Sequence, residues 1–129
     1  MSKCVLDASV ILALLNSEPG AKKAESLIPK SIVSAVNVSE VSAELNSKLN
    51  IEISECKNIL RTLCSEVYDF DFEQAILCSE LKKQTKKQGL SLGDRACIAL
   101  GIHLNLPIYT ADKVWMQLDL KNCDINLIR

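Results

Sequence analysis

Apolar residues fall along this chain in short runs separated by polar turns, and their spacing predicts strands alternating with helices. Residues 3–6 read as a short buried strand that ends at Asp7. Residues 10–15 form the first turns of a helix, Pro19 and Gly20 interrupt it, and a second helix runs to about Ile28. Pro29 stops that helix, and residues 31–35 supply the next strand. From Asn37 the spacing turns helical, with Val38, Val41, Leu45 and Leu49 on one face. Another helix begins at Ser54 and buries Ile59, Leu60 and Leu63, and residues 66–70 read as a short strand. Asp71 caps a long helix that reaches about Lys87 and is closed by Gly89. Ser91 caps the next, whose apolar face carries Ala96, Leu100 and Leu104. Residues 106–110 form a strand, 114–118 a short helix and 124–127 a last strand.

This alternation predicts an α/β fold of three layers, a parallel sheet covered on both faces by helices. The strands are short and mainly apolar, as strands buried on both faces should be. The 129 residues make one domain, residues 1–129, without an internal repeat or linker. With 48% hydrophobic and 24% charged residues the chain has the composition of a folded domain, which excludes disorder. Lys and Arg number 15 and Asp and Glu 16, so the net charge of −1 provides no general basic field, and any nucleic-acid contact must use a local patch. No apolar run approaches the ~20 residues that span a bilayer, and the first residues lack the pattern of a secretion signal. A cytoplasmic protein with no membrane association is the expectation. Six scattered cysteines (Cys4, Cys56, Cys64, Cys78, Cys97, Cys123) form no Cys-x-x-Cys pair and have a single histidine, His103, for company. They read as reduced, mostly buried small hydrophobes, and neither a disulfide framework nor a zinc site.

Four acids stand out by position. Asp7 ends the first strand, Glu40 and Asp94 lie in the opening turns of helices, and Asp112 follows the strand at 106–110. Each has a structural explanation: Asp7 and Asp112 could cap the helices they precede, and residues 37–40 and 91–94 both have the form of a capping box. A cap needs no particular tertiary position, however, and in an open parallel sheet these acids fall at the carboxyl ends of the strands, where such folds bind ligands. Carboxylates gathered in one crevice repel, and the hard divalent cations Mg²⁺ and Mn²⁺ are the ions their oxygens select. With one histidine and no plausible thiolate nucleophile, metal-assisted hydrolysis is the most natural chemistry for such a set.

Four segments carry a family likeness: Val5-Leu6-Asp7-Ala8-Ser9, Asn37-Val38-Ser39-Glu40, Leu90-Ser91-Leu92-Gly93-Asp94-Arg95-Ala96 and Tyr109-Thr110-Ala111-Asp112. In this order and at these separations the chain resembles PIN-domain nucleases, and more narrowly the VapC-type toxins of toxin–antitoxin pairs, over essentially its whole length. The resemblance implies a Rossmann-like parallel sheet and a Mg²⁺- or Mn²⁺-dependent RNA endonuclease. It implies that Asp7, Glu40, Asp94 and Asp112 are the acidic quartet that binds metal and performs catalysis. Ser9 and Thr110 would be the hydroxyl residues beside them, and Asn37 would orient Glu40, although capping explains Asn37 equally well. Also implied are an RNA substrate (a transfer RNA among the candidates), a VapB-type antitoxin partner bound along the helical region 44–63, and a homodimer.

Arg95 and Lys113 each adjoin a proposed metal ligand and are the candidates for phosphate contact. Lys82, Lys83, Lys86 and Lys87 could steer an RNA backbone or form a solvated face. Trp115 reads as packing or as a stacking platform, and the isoleucines at 51 and 53 as an exposed contact surface. Two rivals fit less well. A phosphoacceptor receiver would need adjacent acids after the first strand, where Ala8 and Ser9 stand, and an aspartate phosphatase would need Asp-x-Asp, where Ser9 occupies the third position. A non-catalytic PIN-like protein- or RNA-binding module remains as the alternative from another class.

Overall fold

The computed structural model describes residues 2–129 and has five strands, six α-helices and two short 3-10 turns. The strands β1 (Cys4–Leu6), β2 (Ser31–Ser34), β3 (Val67–Tyr68), β4 (Ile108–Thr110) and β5 (Ile125–Leu127) pair in the order β3-β2-β1-β4-β5, and every pairing is parallel. The first strand therefore sits at the centre, with Val5 opposite Ile32 on one side and Ile108 on the other. The chain winds outward from β1 in both directions, which makes the carboxyl end of β1 the switch point of the sheet.

Helices α1 (Ala8–Leu15), α2 (Ala21–Leu27), α3 (Ala35–Leu49) and α4 (Ile53–Leu63) cover one face, and α5 (Phe72–Gln84) and α6 (Leu92–Leu104) the other. Alternation along each strand feeds the two cores separately. Cys4, Leu6 and Val33 pack with α1 to α4, whereas Val5, Ile32 and Ile108 pack with α5, α6 and Trp115. All three layers predicted from the pattern are present. Gly101 lets α6 approach the sheet, since a Cβ there would strike the Ile108 side chain.

Several local expectations shift. Helix α3 starts directly after β2 at Ala35, because Ser34 Oγ accepts the Val36 N–H at 3.2 Å and caps it. Asn37 is therefore no cap: it lies inside the first turn, fully buried. Leu49, expected on the buried face of α3, is 54% exposed at the end of the helix. The strand expected at 66–70 shrinks to two residues at the sheet edge. Helix α5 ends at Gln84, where Thr85 Oγ1 donates to the Leu81 carbonyl, and the chain turns back through Gly89 at φ +64. Ile53 is exposed as expected, while Ile51 packs against the core. All six cysteines are free, and all but Cys123 are buried. No helix among the described residues is long and apolar enough to cross a membrane.

Candidate active site

Asp7 leaves β1 at the switch point and is 3% exposed. It occupies the N-cap position of α1 yet makes no capping bond with its side chain. Its Oδ2 instead accepts two hydroxyls, from Ser9 at 2.7 Å and Thr110 at 3.1 Å. Those hydroxyls are held in turn: the Ala111 N–H donates to Ser9 Oγ at 2.9 Å and the Asp112 N–H to Thr110 Oγ1 at 3.1 Å. The turn after β4 and the start of α1 thus clamp one carboxylate through two hydroxyls, which is the placement expected for Ser9 and Thr110.

Glu40 reaches the same crevice from the second turn of α3. Asn37, one turn earlier on the same face, donates from Nδ2 both to Glu40 Oε1 at 2.7 Å and to the Gly93 carbonyl at 3.0 Å. One amide therefore joins α3, from one layer, to the opening of α6, from the other. Of the two explanations open for Asn37, orienting Glu40 is the one the geometry selects. Asp94 sits in the first turn of α6 in a capping box, with Ser91 Oγ accepting the Asp94 N–H and Asp94 Oδ2 accepting the Ser91 N–H at 3.0 Å. The box uses one carboxylate oxygen and leaves the other.

The charges of three of these acids act on one another's carboxyls or neighbours. Burial pushes the Asp7 carboxyl up to about 6; the Ser9 and Thr110 bonds oppose the rise, and the charges of Asp94 and Glu40 add to it. Burial also raises Glu40, against the Asn37 bond and with the help of Asp94. The Cys97 thiol, on α6 beneath the crevice, is raised by its complete burial and then by Asp7, Asp94 and Glu40 in turn. None of the ion pairs among the described residues includes these acids, so no basic side chain neutralises them.

Asp112 stands apart. Its backbone joins the hydroxyl clamp, but its carboxylate is exposed and caps the following 3-10 turn, Oδ1 accepting the Val114 N–H at 3.0 Å. Among the described residues no group of three or more acidic, His or Cys side chains is placed to hold a metal ion as the side chains stand. The donor set is nonetheless all carboxylate and hydroxyl oxygen, partly buried and short of positive charge, which suits a hard divalent cation.

The other candidates separate cleanly. Arg95 is 8% exposed and turned into the core, where Nη1 donates to the Cys78 carbonyl at 3.0 Å and ties α6 to α5. It is not placed for the phosphate contact expected of it, because the first turn of α6 that points Asp94 outward points its neighbour between the helices. Lys113 is exposed beside Asp112, and Lys82, Lys83, Lys86 and Lys87 are exposed as well. Trp115 is 1% exposed and belongs to the core, and His103 meets Tyr68 edge-on at 6.0 Å. The Gly93 carbonyl, which accepts from Asn37, belongs to the site as well, and no local sequence pattern signals it.

A parallel sheet that gathers carboxylates over its switch strand defines an α/β domain built around an acidic crevice. More particularly, the PIN domain matches residues 4–120, and the chain belongs to the PIN domain family. Nucleases of this family generally use a divalent metal. Among solved structures, the DNA-bound VapBC of Salmonella typhimurium is similar over 100% of both chains, with 16% identity and a TM-score of 0.74. VapC20 of Mycobacterium tuberculosis, a sarcin–ricin-loop-cleaving toxin, is similar over 89% of this chain and 94% of its own, with 18% identity and a TM-score of 0.73. VapBC-5 of the same organism, from a family of toxin–antitoxin systems, is similar over 100% and 99%, with 22% identity and a TM-score of 0.67. At these identities the likeness is one of fold. No curated protein matches the sequence.

Proposed function

We propose that this PIN domain is the toxin of a toxin–antitoxin pair, a Mg²⁺- or Mn²⁺-dependent endonuclease that hydrolyses RNA phosphodiester bonds. The observation that carries the reading is that Asp7, Glu40 and Asp94, from three separate elements, have no basic side chain paired to them while the charge of Asp94 acts on both Asp7 and Glu40. Asp7, Glu40, Asp94 and Asp112 would hold the ion. Held by these carboxylates, a divalent ion would supply Lewis-acid activation of water and offset charge on the phosphate.

The chain's own residues set the stage for that chemistry. Ser9 and Thr110 fix the rotamer of Asp7 by both donating to its Oδ2, and Asn37 holds Glu40 by donating one bond to its Oε1. The sheet edge and the first turns of α3 and α6 keep the carboxylates partly out of water, so each charge is felt strongly by its neighbours. Lys113, exposed next to Asp112, is the residue for a phosphate of the RNA strand. Of the two phosphate candidates it alone is on the surface.

Partner binding rests on the similar folds and on one surface feature. Helices α3 and α4 enclose a groove of about 970 Å³ lined by Val38, Ser42, Ile53, Lys57, Leu60 and Arg61. We assign it to a cognate VapB-type antitoxin, in a toxin that acts as a homodimer in the cytoplasm. The deciding experiment is sequencing of RNA 5′ ends after induced expression. New ends at a defined site with the wild-type chain, absent with Asp94→Asn, support the nuclease. Identical end profiles leave a non-catalytic binding module, as does failure of purified protein to bind Mn²⁺ saturably.

A further inference from the structure

A Cβ built on Gly93 would fall inside the carboxyl group of Glu40, overlapping Cδ and both carboxylate oxygens. No other glycine in the described residues has an acid of the crevice lying on its Cα. Gly93 is the second residue of α6, immediately before Asp94, and its own backbone is ordinary, with no positive φ to require glycine. Conformation therefore gives no reason for a glycine here, and Ala would be the better helix former. The reason is the space above its Cα.

That space is enclosed from the other side by Asn37, which is fully buried and donates from the same Nδ2 to Glu40 and to the Gly93 carbonyl. The carboxyl end of Glu40 thus lies in a slot whose wall is the amide of Asn37 and whose floor is the bare Cα of Gly93. We propose that Gly93 is a positioning residue for the site: the missing side chain admits the Glu40 carboxylate across the seam between α3 and α6 and sets it beside Asp94. The importance of that position rests on the metal-binding reading above; the packing itself does not.

A methyl group at 93 has one easy escape, since the atoms it meets are the free end of a flexible side chain. Glu40 swings out, the Asn37 bond breaks, and the helices stay where they are. A substitution that is mild for the fold is then severe for the crevice. Residue 93 acts only through Glu40, so its effect must vanish when Glu40 is absent, whereas a general packing defect would persist.

The test is a double-mutant cycle of Gly93→Ala and Glu40→Ala. Mn²⁺ alone is the titrant, calorimetric affinity the first readout, and melting temperature in chelator the second. We expect Gly93→Ala to weaken Mn²⁺ binding tenfold or more and to lower the melting temperature in the otherwise wild-type chain. Combined with Glu40→Ala, the same change should leave the affinity of that variant unaltered within twofold and raise its melting temperature, because the methyl now fills the vacated slot in a better helix former. Equal effects in both backgrounds, or a single variant that binds Mn²⁺ like wild type, overturn the proposal. Should Gly93→Ala alone not fold, recovery of folding in the double variant supports the slot, and continued failure overturns it. If wild type binds no Mn²⁺, the metal reading falls. The melting temperatures then decide the slot: opposite shifts in the two backgrounds uphold it and equal shifts refute it.

Discussion

Replacing Asp7 by Asn isolates the charge at the centre of the site. The two side chains have the same shape, and the Asn carbonyl oxygen accepts the Ser9 and Thr110 hydroxyls as Oδ2 does now. What disappears is an anion that is 3% exposed and whose carboxyl is raised from 3.8 to about 6. The folded chain holds this proton more tightly than the unfolded one. Its contribution to stability is therefore fully present below about pH 4 and is lost as the pH rises through about 6. Above that window the ionised group costs the fold roughly 2 to 3 kcal/mol relative to a neutral one. In chelator at about pH 7.5, Asp7→Asn should be more stable than wild type by that amount, a rise on the order of 10 °C in melting temperature for a domain of this length. At about pH 3.5 the two should melt together. Calorimetry or circular dichroism melts at both pH values make the comparison, followed by Mn²⁺, which should stabilise wild type and leave the variant unmoved. A variant that melts at or below wild type near neutral pH would refute the reasoning, as would a gap of equal size at both pH values.

Asn37→Ala removes a buried amide that bonds both the Glu40 carboxylate and the Gly93 carbonyl, so urea denaturation should show a loss of about 1 to 3 kcal/mol and titration a weakened Mn²⁺ affinity. Arg95→Ala should cost about 2 kcal/mol through the lost bond to the Cys78 carbonyl, while Lys113→Ala should leave stability within about 0.5 kcal/mol of wild type. Filter binding to RNA should reverse that ranking, with Lys113→Ala weakening affinity and flattening its salt dependence. Trp115→Ala should destabilise by about 3 to 5 kcal/mol in denaturant melts if the ring is core and not a stacking platform.

Much of the fold was legible because its signals are local. The short apolar runs and the caps at Asp71 and Ser91 sit where the pattern put them, since each depends on residues within a turn of itself. The same locality explains the errors. Asn37-Val38-Ser39-Glu40 has the letters of a capping box, but Ser34 captures the helix start one turn earlier, and that slip converts Asn37 from a cap into the link between two layers. Leu49 continues the apolar spacing of α3 past the point where the core ends.

By itself the sequence determined the order of strands and helices, the parallel three-layer class, the family likeness and the choice of four candidate acids, because period, turn chemistry and motif spacing are written along the chain. Only the tertiary structure decided how those acids are used. It buries Asp7 between two hydroxyls, seats Glu40 against a bare Cα, leaves Asp112 capping at the rim and turns Arg95 inward to Cys78. The Arg95–Cys78 and Asp7–Thr110 bonds join residues 17 and 103 positions apart, brought together only when separate elements pack, and no spacing within one segment records them.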